Sequence, residues 1–162
     1  MGKGTFTPHL RTDVSLDSAP RPDDRVWMDP SSGIIFNYDD ERGKWLSASK
    51  DVFEFARKNA SYGMYLPVLG DLDDVEDVYT FRRNATVTGI ICRSKQGDMS
   101  KLFTVRVNGV VVLNFQYVNG LYTNAYLDID VSAMDELQVY IGAGAFVKNT
   151  VCRIEFSWRY DI

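Results

Sequence analysis

Histidine is almost missing from this 162-residue chain, with His9 its one example, and cysteine occurs only twice. A single imidazole in a polar leader cannot supply the positioned base and its support that a Ser-His-Asp site demands, so His9 reads as a surface or contact residue. Two cysteines, Cys92 and Cys152, are too few for a disulfide framework, and no Cys-x-x-Cys pair suggests zinc. Cys152 falls on the apolar side of a strongly alternating segment, which favours a buried free thiol, whereas a Cys92–Cys152 bridge requires that their strands pair. Basic residues are few and scattered: 18 Lys and Arg stand against 22 Asp and Glu, a formal charge of −4. Arg82-Arg83 and Arg93-Ser94-Lys95 are the densest basic spots and too small for a phosphate footprint, which argues against nucleic acid as the main partner. No apolar run reaches membrane-spanning length, and Met1 to Pro8 lacks an apolar signal core. The expectation is no membrane partner and synthesis in a cytosolic compartment.

Other absences narrow the chemistry. Gly142-Ala143-Gly144 has no helical pattern after it and no basic residue for phosphate, so a P-loop or dinucleotide site is excluded and a relaxed strand end is expected. The acidic run over residues 71–77 lacks the Gly and Glu positions of a calcium loop and reads as a solvated or subunit-facing loop. Its contiguous carboxylates cannot flank a sugar from two sides, as glycosidase chemistry needs. No catalytic, cofactor or metal residues are assigned.

What the chain does have is aromatic residues, nine Tyr and nine Phe, and a period-two pattern. Residues 1–24, with Pro8, Pro20 and Pro22 among polar residues, read as an extended N-terminal arm. Residues 25–47 read as a small β-meander: Trp27, then the turn Asp29-Pro30-Ser31-Ser32-Gly33, the strand around Phe36, the turn Asp39-Asp40-Glu41-Arg42-Gly43, and Trp45-Leu46-Ser47. Residues 48–162 read as the main domain. Phe53 to Arg57 alternates like a strand and could also form a helical turn. Thr86 to Arg93 is a strand, and Asn108-Gly109 joins Leu102–Val107 to Val110–Tyr117 as a hairpin with a type I′ turn. Phe103, Val105 and Val107, then Val111, Leu113, Phe115 and Tyr117, are expected to face inward. Asn119-Gly120 is another turn, and Leu127, Ile129 and Val131 alternate with Asp128 and Asp130. Leu137, Val139 and Ile141 continue the pattern, and Cys152, Ile154, Phe156, Trp158 and Tyr160 share one face of the last strand. Strands at this spacing predict an all-β fold, an antiparallel jelly-roll-like β-sandwich preceded by the meander and the arm.

Two stretches carry a resemblance. The meander from Trp27 to Ser47 resembles a small module of tailed-phage virion proteins. Phe53-Glu54-Phe55-Ala56-Arg57, running on to Arg82-Arg83-Asn84-Ala85-Thr86-Val87-Thr88-Gly89-Ile90, is similar to a pattern of phage head and tail appendage domains. Ala56 stands where that pattern has Gly, and Arg82-Arg83 where it has Pro. The resemblance implies a non-enzymatic virion structural protein, a capsid cement or decoration protein or short head fibre. It also implies a homotrimer whose partners are the major capsid protein or neighbouring virion subunits. The location implied is the virion, after synthesis in the host cytoplasm. The alternative is a tail-fibre or receptor-binding module that stacks host glycans on exposed tyrosines, with Tyr62, Tyr65, Tyr122, Tyr126 and Tyr140 as candidates. Interface candidates are Phe6, His9 and Leu10 in the arm, Trp27 and Trp45 in the meander, and Tyr62, Tyr65, Arg82 and Arg83.

Overall fold

The alternating segments become strands, as the β-branched and aromatic content favours. A computed structural model describes residues 19–20, 24–58, 63–68, 78–97, 102–142 and 147–161. In chain order the strands are β1 (Val26–Met28), β2 (Ile35–Asp39), β3 (Lys44–Ser47), β4 (Asp51–Arg57), β5 (Met64–Tyr65), β6 (Tyr79–Thr80) and β7 (Ala85–Arg93). They continue as β8 (Gln96–Gly97), β9 (Leu102–Val107), β10 (Val110–Gln116), β11 (Leu121–Asn124), β12 (Ile129–Val131), β13 (Glu136–Ile141), β14 (Val147–Lys148) and β15 (Thr150–Tyr160). Phe53 to Arg57 is therefore strand and not helix, and no helix occurs among the described residues.

One sheet runs β1-β2-β3-β15-β7-β11, with β4 also on β15 and β12 also on β7. The second runs β10-β9-β13-β5, with β6 also on β13, and β8 pairs with β14 apart from both. Every ladder is antiparallel. Setting aside β8 and β14, and taking β5 with β6 and β11 with β12 as interrupted single runs, leaves eight main runs from β4 to β15. The first sheet holds the first, eighth, third and sixth of these, and the second sheet the second, seventh, fourth and fifth. That is the jelly-roll arrangement of two interlocked Greek keys. The core lies between the sheets: Val87, Ile90, Ile154 and Phe156 from one meet Phe103, Val105, Leu137, Val139 and Ile141 from the other, all essentially inaccessible to solvent.

The meander forms at the expected place, but its third strand is hydrogen-bonded into the sandwich, with Trp45 opposite Tyr160 and Leu46 opposite Arg159 on β15. The boundary at residue 47 thus falls inside a sheet. Its two turns share one plan: an Asp opens the loop, a Gly closes it with positive φ, and the Gly amide donates to the Asp carbonyl. Gly33 does so to Asp29 at 2.7 Å with φ 71°, and Gly43 to Asp39 at 2.8 Å with φ 65°. The Asp29 carboxylate accepts from the Ser31 amide at 2.9 Å and from the Ser31 and Ser32 hydroxyls, which hold its pKa below the ordinary value.

Two bulges set which residues face inward, and the second revises an expectation. In β7 the register passes from Glu155 opposite Gly89 to Phe156 opposite Val87, so one extra residue is accommodated around Thr88. Inward positions therefore change parity, from Ala85 and Val87 to Ile90 and Cys92. In β10 the register shifts between Val111 and Leu113, which leaves Val111 opposite Arg106 and 41% exposed. Val111 faces outward, contrary to expectation, because the bulge uses up one step of the alternation; Phe115 and Tyr117 are buried as expected. The Asn108-Gly109 hairpin has φ of 51° and 77°, as a type I′ turn requires.

Cys92 lies directly opposite Cys152 on β7 and β15, and the two form a disulfide, both side chains fully buried. The free-thiol expectation is corrected by register: paired strands bring the Cα atoms within 4.0 Å. The bridge closes a ring with sequence separation 60, and in the chain-entropy account such a ring stabilises by about 4 kcal/mol. We expect replacement of both cysteines by Ala to lower the urea-unfolding free energy by about that amount, and reductant to shift the wild type in the same direction. Glycine space gives a second test. A Cβ on Gly142 would stand 2.5 Å from the Leu102 carbonyl oxygen, whereas one on Gly89 would meet nothing closer than 3.5 Å. Gly142→Ala is expected to cost about 1–3 kcal/mol, and Gly89→Ala to stay within about 0.5 kcal/mol, by the same denaturation measurement.

Candidate functional site

At one end of the first sheet the strand order β3-β15-β7-β12 brings outward-facing polar side chains into a row. Asp130 on β12 accepts hydrogen bonds from Lys44 Nζ at 2.8 Å, the Thr86 hydroxyl at 2.8 Å and Arg159 Nη1 at 2.8 Å. Lys44 also reaches Asp128 at 2.7 Å, and Arg159 pairs with Asp161, which accepts from Asn84 at 2.5 Å. Two cations thus face three carboxylates, and Thr86 beneath them is fully buried. Burial opposes ionisation of Asp130, but the hydrogen bonds from Lys44 and Thr86 and the charge of Arg159 outweigh it and hold its carboxyl below the ordinary range. Arg42 extends the link by donating from Nε to the Leu127 carbonyl at 3.1 Å. The row locks the meander and the chain end onto the sandwich. Its donors, Lys44, Thr86 and Arg159, are engaged by the carboxylates of Asp128, Asp130 and Asp161. The outward positions Asp128, Asp130 and Arg159 are readable from the alternation, but their convergence follows from strand order, which carries no local sequence signal.

Beside this row, β4, β15, β7 and β11 outline a shallow groove of about 320 Å³ with Gly89 in its floor. Exposed Val52 and Ile91 flank it, and Arg153 and Glu155 edge it. Both charges are already paired, Arg153 with Glu54 at 2.8 Å and Glu155 with Lys50 at 2.6 Å. On the outer face of the second sheet, Arg106 lies 4.6 Å from the Tyr140 ring centroid and 5.6 Å from that of Tyr65, and donates to the Tyr65 hydroxyl at 2.8 Å. The guanidinium therefore occupies the ring faces that a sugar would need.

Of the residues singled out in the sequence, Phe6, His9, Leu10 and Tyr62 lie outside the described residues, as does the acidic run 71–77. Trp27 and Trp45 are buried within the chain itself. Trp27 packs on Tyr160 at 4.5 Å and on Phe36 at 5.6 Å, and Trp45 meets Tyr38 at 5.4 Å. They are thus withdrawn as contacts to a neighbour, because the meander needs them for its own core. Tyr65 is half-buried beneath Arg106, and Tyr122 stacks on Phe115 at 4.5 Å. Tyr126, by contrast, is 83% exposed. Arg82 and Arg83 are exposed side by side, with no ion pair among the described residues, and Arg83 is near enough to Asp29 to favour its ionised form. No group of three or more His, Cys, Asp or Glu that could hold a metal ion occurs among the described residues.

The Asp130 row has a pH signature. Its folded pKa lies below the unfolded value, so its contribution is present above the ordinary aspartate value of 3.8 and is lost as pH falls through the depressed folded value. Asp130→Asn is expected to cost about 1 kcal/mol at neutral pH, a figure already reduced for its half-exposed position. The difference should begin to shrink as pH falls below about 4 and vanish only below the depressed folded value. Thermal melts of both proteins across the acid range measure this.

No protein-family model matches the chain, and no curated protein matches it. Among solved structures, a crystal structure of FLHE is similar over 70% of this chain and 100% of its own, with a TM-score of 0.34 and 8% sequence identity. A likeness that distant does not inform function.

Proposed function

We propose that this chain is a non-enzymatic structural protein of a tailed-phage virion. It binds the capsid surface as a cement or decoration protein or a short head fibre, with the major capsid protein or a neighbouring virion subunit as partner. One observation supports the reading above others. The two stretches that carry the phage resemblance follow one another in sequence and both pair with β15: Trp45 of the meander is opposite Tyr160, Phe53 is opposite Ile154, and Ala85 is opposite Trp158. A pattern shared in two places is thereby one structural unit. Arg82 and Arg83, with no ion pair among the described residues, stand beside it as charge available to an acidic subunit, and an arm over residues 1–24 adds contact area and avidity without enlarging the core. On this reading the chain is made in the reducing host cytoplasm. Cys92 and Cys152 are then thiols until the particle leaves the cell, and the bridge forms there with loss of two protons and transfer of two electrons to an external oxidant such as dioxygen.

A second reading rests on the exposed ring of Tyr126, which offers a free face to a host glycan in a receptor-binding module. Deleting residues 1–24 separates the two. Under the capsid reading the truncated chain keeps its circular dichroism and melting temperature but no longer co-sediments with the capsids of the phage that carries it. Full binding by the truncated chain would overturn the arm's role. Glycan-array binding lost in Tyr126→Ala would favour the second reading.

A further inference from the structure

We propose that β10 is a docking edge for a second copy of this chain, pairing antiparallel with the same strand of that copy about a two-fold axis. In the second sheet β10 is an outermost strand, and β9 is its one ladder partner among the described residues. Among the described residues no strand lies on the far side of the run from Val110 to Phe115, whose backbone donors and acceptors there are a ready template for another strand. Natural edges of this kind are blunted by Lys, Pro, inward charges or bulges. Here β10 reads Val-Val-Val-Leu-Asn-Phe-Gln, with no Lys or Pro, and its one blunting device is the bulge at Val111. Val110 is 66% exposed and Val112 38%, so apolar side chains line the open edge.

Charge argues for a second copy as the occupant. The chain carries −4, so two copies repel wherever their charged surfaces meet. From Val107 to Leu127 the sequence has no Asp, Glu, Lys or Arg, a neutral window that includes all of β10 and its turn into β11. Antiparallel pairing about a two-fold makes a strand its own complement: where one residue of β10 meets a second, that second residue meets the first on the other side of the axis, and no other sequence is required. A partner recognised by charge finds nothing to hold there. The interface is separate from the capsid contacts proposed above and stands whether or not that reading holds.

Sedimentation equilibrium of the full chain, together with amide hydrogen exchange at low and high concentration, tests the proposal. The expected result is a mass of two chains at micromolar concentration, with the amides of β10 exchanging more slowly as the dimer fills. The double variant Val110→Lys/Val112→Lys is expected to weaken association about tenfold or more, since charge on an edge opposes strand pairing. Met134→Lys, on a 74% exposed side chain at the corner after β12, is expected to leave association unchanged. A wild type that stays monomeric overturns the proposal. So does an oligomer, a trimer included, whose β10 amides exchange at the same rate at both concentrations. If the double variant fails to fold, the exchange measurement on the wild type decides alone.

Discussion

Pairing along β15 is the constraint on which the rest of the molecule depends. Over eleven residues it hydrogen-bonds β4 and then β3 on one side and β7 on the other. Its inward residues feed two cores in turn: Ile154 and Phe156 belong to the sandwich, Tyr160 packs in the meander cluster, and Trp158 touches both. Phe156 and Trp158 meet edge to face at 5.0 Å, so the two cores are coupled through one strand's side chains. A strand shared in this way needs an edge that can change partners. The change occurs at Ser47, whose hydroxyl accepts from the Trp158 amide at 2.9 Å where β3 leaves the ladder and β4 has yet to join it. A serine there keeps a backbone donor satisfied across the gap between two strands.

The same sharing explains how much of the fold was legible. The alternation from Cys152 to Tyr160, the Asn108-Gly109 turn and the Asp-to-Gly loops of the meander are local signals, and each forms what its residues imply. The jelly-roll order was legible as a class because strand count and turn spacing restrict the choices. Bulges were not legible, since an inserted residue at Thr88 or Val111 changes parity without changing composition. The disulfide was hidden for a related reason: opposition of Cys92 and Cys152 depends on register between strands separated by most of the second sheet. The candidate site was legible least. Trp27 and Trp45 look like contact residues in sequence because bulky aromatics serve interfaces and cores alike, and only the closure of the meander onto Tyr160 tells the two apart. Lys44, Thr86, Asp130 and Arg159 meet because four strands lie side by side, a property of topology that no one segment carries.

Polar groups divide sharply between the two faces of the first sheet. Inside, buried aliphatic and aromatic groups supply the non-directional part of the stability. Outside, a row of charge-assisted bonds sets which strands lie next to which at the meander end, where the apolar area is small. Among the described residues the second sheet has no comparable outer lock beyond Arg106 and its two tyrosines, and its β10 edge is apolar and neutral. Among the described residues the molecule is thus fastened at one end and unpaired along one side.

The Cys92–Cys152 bridge also sets how the chain carries a mechanical load. Tension applied between the N-terminal segment and the chain end would run through β1 to β7, cross the disulfide, and leave along β15. The ring between the two cysteines contains β8 to β14, including the three long strands of the second sheet. Those strands lie off the load path while the bond is intact. An extending force can therefore peel the meander and shear the outer ladders of β15, yet it cannot unravel the half of the sandwich enclosed by the ring.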